Sequence, residues 1–178
     1  MKLTHKHLHL LLTGEKKKPK ALHPKKLMYY KHKGYKCKKH PDCKFCKEIH
    51  RKKKKILFEN EHIIVIMGRR HHKGHLVILT RTHEEHLMLL HPHTLESFFN
   101  DTIKVCRALH KAIKFDRLNL EYLDNWDPHI HWNIYPRFKT DKDWGNPPVI
   151  PPKDKKIKPK KLTEKELKIL KKELAKIQ

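Results

Sequence analysis

Apolar and polar positions change their period several times along this 178-residue chain, and each change marks an element. Residues 56–68, ILFENEHIIVIMG, hold two apolar runs broken by Glu59-Asn60-Glu61 and predict two strands. Residues 74–83, GHLVILTRTH, open at a glycine and predict a third. From Pro92 to Phe115, residues Leu95, Phe98, Phe99, Thr102, Cys106, Leu109 and Ile113 recur at helical spacing, which predicts one long helix. Residues 117–124 and 129–137 predict two more strands across a short Asn-Trp-Asp-Pro turn. On the last strand, side chains two apart share a face. His129, His131, Asn133 and Tyr135 then form a polar row, Ile130, Trp132 and Ile134 a buried row behind it, and Pro136 ends the strand. Thr163 and Glu166 form a capping box ahead of Leu167, Leu170, Leu174 and Ile177, an amphipathic helix that must dock on something. The fold class is α+β.

Charge divides the chain. The whole carries 43 Lys and Arg against 19 Asp and Glu, with 18 His, for a net charge of +24. Residues 1–55 hold 20 basic and 3 acidic residues, 56–145 hold 12 of each, and 146–178 hold 11 against 4. A neutral middle of this kind folds, whereas lysine-dense flanks stay extended unless a polyanion neutralises them. The expected organisation is a basic N-terminal extension over 1–36, a domain over 37–148, and a basic C-terminal extension over 149–178 that ends in the short helix. Lysines act as point charges for phosphates, so nucleic acid, RNA above all, is the expected partner of the flanks. Tyr29, Tyr30 and Tyr35 are available there for stacking on bases. The bland rival is a solubilising surface. No apolar run approaches membrane-spanning length, so no membrane partner is expected.

Cysteine usage points to metal. Cys37, Cys43 and Cys46 fall within ten positions, too clustered for a disulfide framework and typical of a reducing compartment. The chain therefore reads as cytoplasmic; its opening segment lacks the Arg and Ser of a transit peptide but leaves an organelle open. Cys43 and Cys46 form a C-x-x-C, for which zinc is the expected occupant in this lysine-rich setting. Two closures fit. One is local, with Cys37 and His40; the other is long-range, with His83 and His129. The paired imidazoles His129 and His131 suit either metal ligation or nucleophilic work on phosphorus. The spaced histidines of HKHLH at 5–9 have no such partners and read as a decoy, and Cys106 reads as core.

The order of these segments resembles the histidine-triad (HIT) superfamily, particularly bacterial-type members. The resemblance covers roughly residues 43–148. It rests on the C-x-x-C, on GHLVILTRTH, on NLEYLDN, on PHIHWNIYPRF, and on Asp141, Asp143, Trp144 and Pro147 after it. It implies a HIT-like antiparallel sheet with one long helix. It also implies a catalytic nucleophile at the middle triad position, His131, which would attack the α-phosphorus of a nucleotide and form a nucleotidyl-histidine. Zinc-containing members hold a structural zinc at positions matching Cys43, Cys46, His83 and His129, which favours the long-range closure. Asn119, Asn125 and Arg137 are further candidates for phosphate or ribose contact. The third triad position departs from the pattern: Asn133 keeps a hydrogen-bonding amide but no titratable proton. Two readings follow, a HIT-type nucleotide hydrolase or nucleotidyl transferase with RNA-binding arms, and a catalytically weak HIT-fold component of a ribosome or ribonucleoprotein. A DNA-end deadenylating enzyme is a weaker third. The family's homodimer is also implied, unless the arms obstruct it.

Overall fold

The computed structural model describes residues 43–51, 56–69, 71–149 and 158–177. In chain order the elements are α1 (Lys44–Arg51), β1 (Ile56–Glu59), β2 (Ile63–Met67), β3 (Leu76–Thr80), α2 (Pro92–Ile113), β4 (Arg117–Glu121), β5 (His131–Arg137) and α3 (Glu164–Leu174). A single 3-10 turn, Leu87–Leu89, precedes α2. The strands form one antiparallel sheet in the order β1-β2-β3-β5-β4. The β1–β2 turn is set by Asn60, whose Oδ1 accepts the N–H groups of His62 and Ile63 at 2.9 Å each.

Register sorts the sheet into two faces. Leu76 lies opposite Ile134 and Ile78 opposite Trp132, and these side chains enter the main core with Ile63 and Val65. Helix α2 covers that face with Phe98, Val105, Leu109 and Ile113. Val77 lies opposite Asn133 and Leu79 opposite His131, on the other face. There Ile64, Ile66, Val77 and Leu79 are covered by Phe45 and Ile49 of α1 together with Cys43 and Cys46. Helix α1 therefore seals one half of this face, next to the polar row of β5.

The short C-terminal helix docks on the domain. Its capping box is formed on both sides, and Leu170 and Leu174 are buried in the main core. Lys111 meets Glu173 at 2.8 Å and Lys73 meets Glu166 at 2.6 Å. The expected amphipathic helix is thus the outer layer over α2. Truncating Leu170 to Ala removes a fully buried side chain and is expected to cost about 2–5 kcal/mol of stability, read from a denaturant midpoint.

Three boundaries differ from the sequence pattern. Pro136 lies inside β5, opposite Leu118, and does not end the strand. The β3 pairing has already stopped at Leu76 opposite Ile134, so a missing donor at 136 costs no bond on that side. The loop between β4 and β5 spans 122–130, longer than the expected turn, because Tyr122 leaves the sheet to accept the Leu87 N–H at 3.1 Å. His129 therefore precedes β5 and does not stand in its row. Helix α1 was not foreshadowed by the pattern; Phe45, Cys46 and Ile49 make its buried stripe at helical spacing.

Candidate metal centre and nucleophile

Cys43, Cys46, His83 and His129 converge, with one ligand atom from each and all four within 4.8 Å of one another. Cys43 stands just ahead of α1, where its carbonyl accepts the Lys47 N–H at 3.0 Å and its sulfur the Cys46 N–H at 3.4 Å. The x-x spacing thus places both sulfurs on the first turn of a helix, an end that favours a thiolate. His129 Nε2 donates to the Thr80 carbonyl at 3.0 Å, since a carbonyl can only accept. Its Nδ1 lone pair then faces Cys43 Sγ at 3.7 Å and Cys46 Sγ at 3.5 Å. Cys46 Sγ also lies 3.3 Å from His83 Nδ1.

These separations suit a tetrahedral cation. Metal–sulfur bonds of about 2.3 Å and metal–nitrogen bonds of about 2.0–2.1 Å give sulfur–nitrogen edges of about 3.6 Å. The chemistry of the donors agrees: Cys46, His129 and His83 pull the buried Cys43 thiol down to about 2, into the thiolate form that a metal requires. The four positions of the long-range closure are therefore brought together. The local alternative, with Cys37 and His40, lies outside the described residues, as does the 5–9 histidine run. Cys106 sits in the main core, and burial pushes its thiol up to about 12.

Two residues past His129, the first side chain of β5 has one nitrogen fixed. His131 Nδ1 donates to the His129 carbonyl at 2.7 Å. Neutral imidazole then carries its lone pair on Nε2, and the ring leans on Phe45 with centroids 4.7 Å apart. One backbone carbonyl thus sets the tautomer of His131, and it belongs to His129 of the cysteine–histidine cluster. Phe45 and the helix that carries it were not legible as site components from sequence.

Asn133 has a partner the sequence reading missed, His75. Asn133 Oδ1 and His75 Nε2 lie 3.2 Å apart, while His75 Nδ1 donates to the Arg69 carbonyl at 2.9 Å. Burial, with help from His72 and His71, holds the pKa of His75 below its ordinary value. A neutral His75 accepts at Nε2, so the pairing is satisfied when the Asn133 amide turns an N–H to it and its oxygen away. Gly68 makes room for this ring: a Cβ there would lie 2.5 Å from it. The sign for pH follows from the lowered pKa. His75 contributes stability above the unfolded histidine value of about 6.5, and loses it as pH falls through the lower folded value. Between pH 7.5 and 5.5, denaturant midpoints should fall more for the wild type than for His75→Gln.

Arg137 is buried, and its donors are engaged within the chain. It reaches Asn119 Oδ1 and the Asn146 carbonyl at 2.9 Å each, the Asp143 carbonyl at 2.8 Å and Asp143 Oδ1 at 2.9 Å, and Asp141 Oδ2 at 3.4 Å. It ties the 141–146 loop to the sheet edge, and it occupies the Asn119 carbonyl oxygen. Arg137, Asn119 and Asn146, with Trp144 and Glu121, line an open cleft of about 570 Å³ beside β4. His72 reinforces the tie through Asp143 at 3.0 Å, a partner sequence spacing could not reveal. Asn125 sits exposed in the 122–130 loop.

No protein-family model matches the chain, and no curated protein matches it by sequence. Solved structures do match. A HIT-like protein from Bartonella henselae superposes with a TM-score of 0.55 at 18% identity, over 74% of this chain and 96% of that one. A histidine triad nucleotide-binding protein from Sulfolobus tokodaii gives a TM-score of 0.55 at 22% identity, over 75% and 92%. A zinc-bound histidine triad family protein from Mycobacterium smegmatis gives 0.50 at 22%, over 67% and 83%. The five-stranded antiparallel sheet with its helices is the α+β fold of histidine-triad proteins.

Proposed function

We propose that this chain is a zinc-stapled nucleotidyl-transferring enzyme of the HIT type, hydrolase or transferase, with His131 as nucleophile. The observation that carries the reading is the bond from His131 Nδ1 to the His129 carbonyl, which leaves Nε2 as the lone-pair atom. In the reaction Nε2 attacks the α-phosphorus of a nucleotide, a phosphorus–nitrogen bond forms, and the bond to the leaving group breaks with its electron pair. The ring becomes cationic, and the Nδ1–H bond to the carbonyl strengthens. A second acceptor, water or a nucleophilic group, then attacks phosphorus and returns the pair to Nε2. The fold and the nucleotide-binding description of the Sulfolobus tokodaii protein support the substrate class.

Cys43, Cys46, His83 and His129 would hold the zinc, by analogy with the zinc-bound mycobacterial protein. Bound there, zinc supplies structural cross-linking. His129 joins both functions through its ring and its carbonyl. Asn133 has no titratable proton to deliver as a general acid, so the leaving group must be a weak base; pyrophosphate and sugar phosphates meet that condition. Mass spectrometry after incubation with a dinucleoside polyphosphate, whose polyphosphate leaving group is a weak base, tests the reading. It should find an acid-labile nucleotidyl adduct on His131. No adduct, or an equal one in His131→Ala, would sink it.

A second reading, RNA or ribosome binding by the basic flanks, is favoured by the surface of α3. Leu170 and Leu174 face the core, while Lys165, Lys168, Lys171, Lys172 and Lys176 are all exposed. If roughly eight lysines of the flanks engage single-stranded RNA, affinity should fall about 2,000-fold between 50 and 200 mM salt. The full chain carrying Lys165→Gln, Lys168→Gln and Lys172→Gln should show a shallower slope. An unchanged slope and affinity would remove α3 from the interface.

A further inference from the structure

In a chain with 43 Lys and Arg, the two loops beside the metal cluster have none. Residues 82–91 and 122–130 contain no Lys or Arg but hold Glu84, Glu85, Asp124 and Asp127. The loops form one surface. His86 Nδ1 meets Asp124 Oδ2 at 3.2 Å, Leu87 N–H meets the Tyr122 hydroxyl, and Ile130 N–H meets the Glu84 carbonyl at 2.8 Å. On this surface Trp126 is 89% exposed, Met88 55% and Leu123 51%. Asp124 adopts a left-handed conformation, φ 45°, at the bend that presents Leu123 and Trp126. Large apolar side chains exposed together inside an acidic rim are the footprint of a cationic, apolar-anchored partner.

We propose that this patch docks the chain's own N-terminal segment, residues 1–42. Two observations select that occupant. The segment carries 13 lysines against two acidic residues, with apolar anchors at Leu8–Leu12 and at Met28-Tyr29-Tyr30. It also joins the described domain at the patch. Cys43 Sγ lies 3.7 Å from His129, whose N–H bonds to the Asp127 carbonyl at 2.7 Å, and its neighbour Cys46 meets His83, the residue before Glu84. A tether that short places the segment at millimolar effective concentration over the patch. Lysine ammonium groups meet the carboxylates and the Trp126 face, and an apolar anchor covers Met88 and Leu123. The docked segment flanks the strand that carries His131. This holds whether or not His131 is a nucleophile.

The test uses the full chain at low salt with two readouts. Tryptic cleavage within residues 1–42 is compared between the wild type and Glu85→Gln/Asp124→Asn/Asp127→Asn, with metal content as the check that the variant folds. Acrylamide quenching of Trp126 is taken as the difference between the wild type and Trp126→Phe. Cleavage should be about tenfold slower in the wild type than in the triple variant, given three carboxylates each weakly engaged. Trp126 should be shielded at low salt and quenched freely at 0.5 M salt. Equal cleavage of the two proteins, or a Trp126 as quenchable at low salt as free indole, overturns the proposal. So does protection that disappears on dilution, which assigns the patch to a second copy.

Discussion

On the proposed mechanism, replacing His131 by Ala is expected to lower nucleotidyl transfer by about 10⁴-fold or more, because it removes the atom assigned to the covalent intermediate. The loss should fall on kcat, with substrate affinity largely kept, since the ring is asked to act only in the chemical step. His131 is half-buried against Phe45 and outside the main core, so the variant should keep the proposed zinc site and most of its stability. The converse change tests the departure at 133. A histidine there restores a titratable group beside the nucleophile, and general acid assistance is worth at least about 100-fold where the leaving group is a poor one. Asn133→His should therefore raise turnover most on substrates with strongly basic leaving groups and least on activated ones. Equal gains across a leaving-group series would mean that proton delivery does not limit the wild type. Retained activity in His131→Ala would end the assignment of the nucleophile altogether.

Why some of this was legible in the sequence and some was not is a matter of range. The strand pair at 56–67, the long helix from Pro92 and the capped helix after Thr163 are written in local periodicity and end signals, and they stand close to where the pattern puts them. Trp132 and Ile134 are buried because a period of two needs no partner to be read. Register does need one. That His75 meets Asn133, or that Arg137 spends its donors on Asn119, Asp141, Asp143 and Asn146, depends on which strand lies beside which. Single-strand patterning is silent on that. The same holds for α1, whose eight residues are mostly polar and whose helical stripe exists to cover Ile64, Ile66, Val77 and Leu79. Alternation puts His129 on the strand; in the structure its ring belongs to the cysteine–histidine cluster, and that packing outranks the pleat. The C-terminal flank is basic, yet its helical period puts Leu170 and Leu174 on one docking face, and both are buried in the core.

Stripping the proposed zinc is expected to loosen the face of the sheet on which His131 sits. With zinc present at about 1,000 times its dissociation constant, binding contributes about 4 kcal/mol to folding. For a chain of this size that corresponds to a fall of about 8–16 °C in the midpoint of thermal unfolding when a chelator removes the ion. The loss should be local before it is global. Helix α1 is held over the sheet by a small cluster, Phe45, Ile49, Ile64, Ile66, Val77 and Leu79, to which the two cysteines belong. Once the sulfurs are released, amide exchange should quicken in residues 44–51 and at His129–His131, while α2 and its sheet face stay protected. Cys46→Ser and His83→Ala should each reproduce the shift and abolish stoichiometric zinc, since each removes one corner of the four-atom set. Cys37→Ala should leave both untouched. If zinc instead survives loss of His83 and not of Cys37, the local closure holds the ion, and the cross-link between α1 and the segment leading into β5 falls with the long-range one.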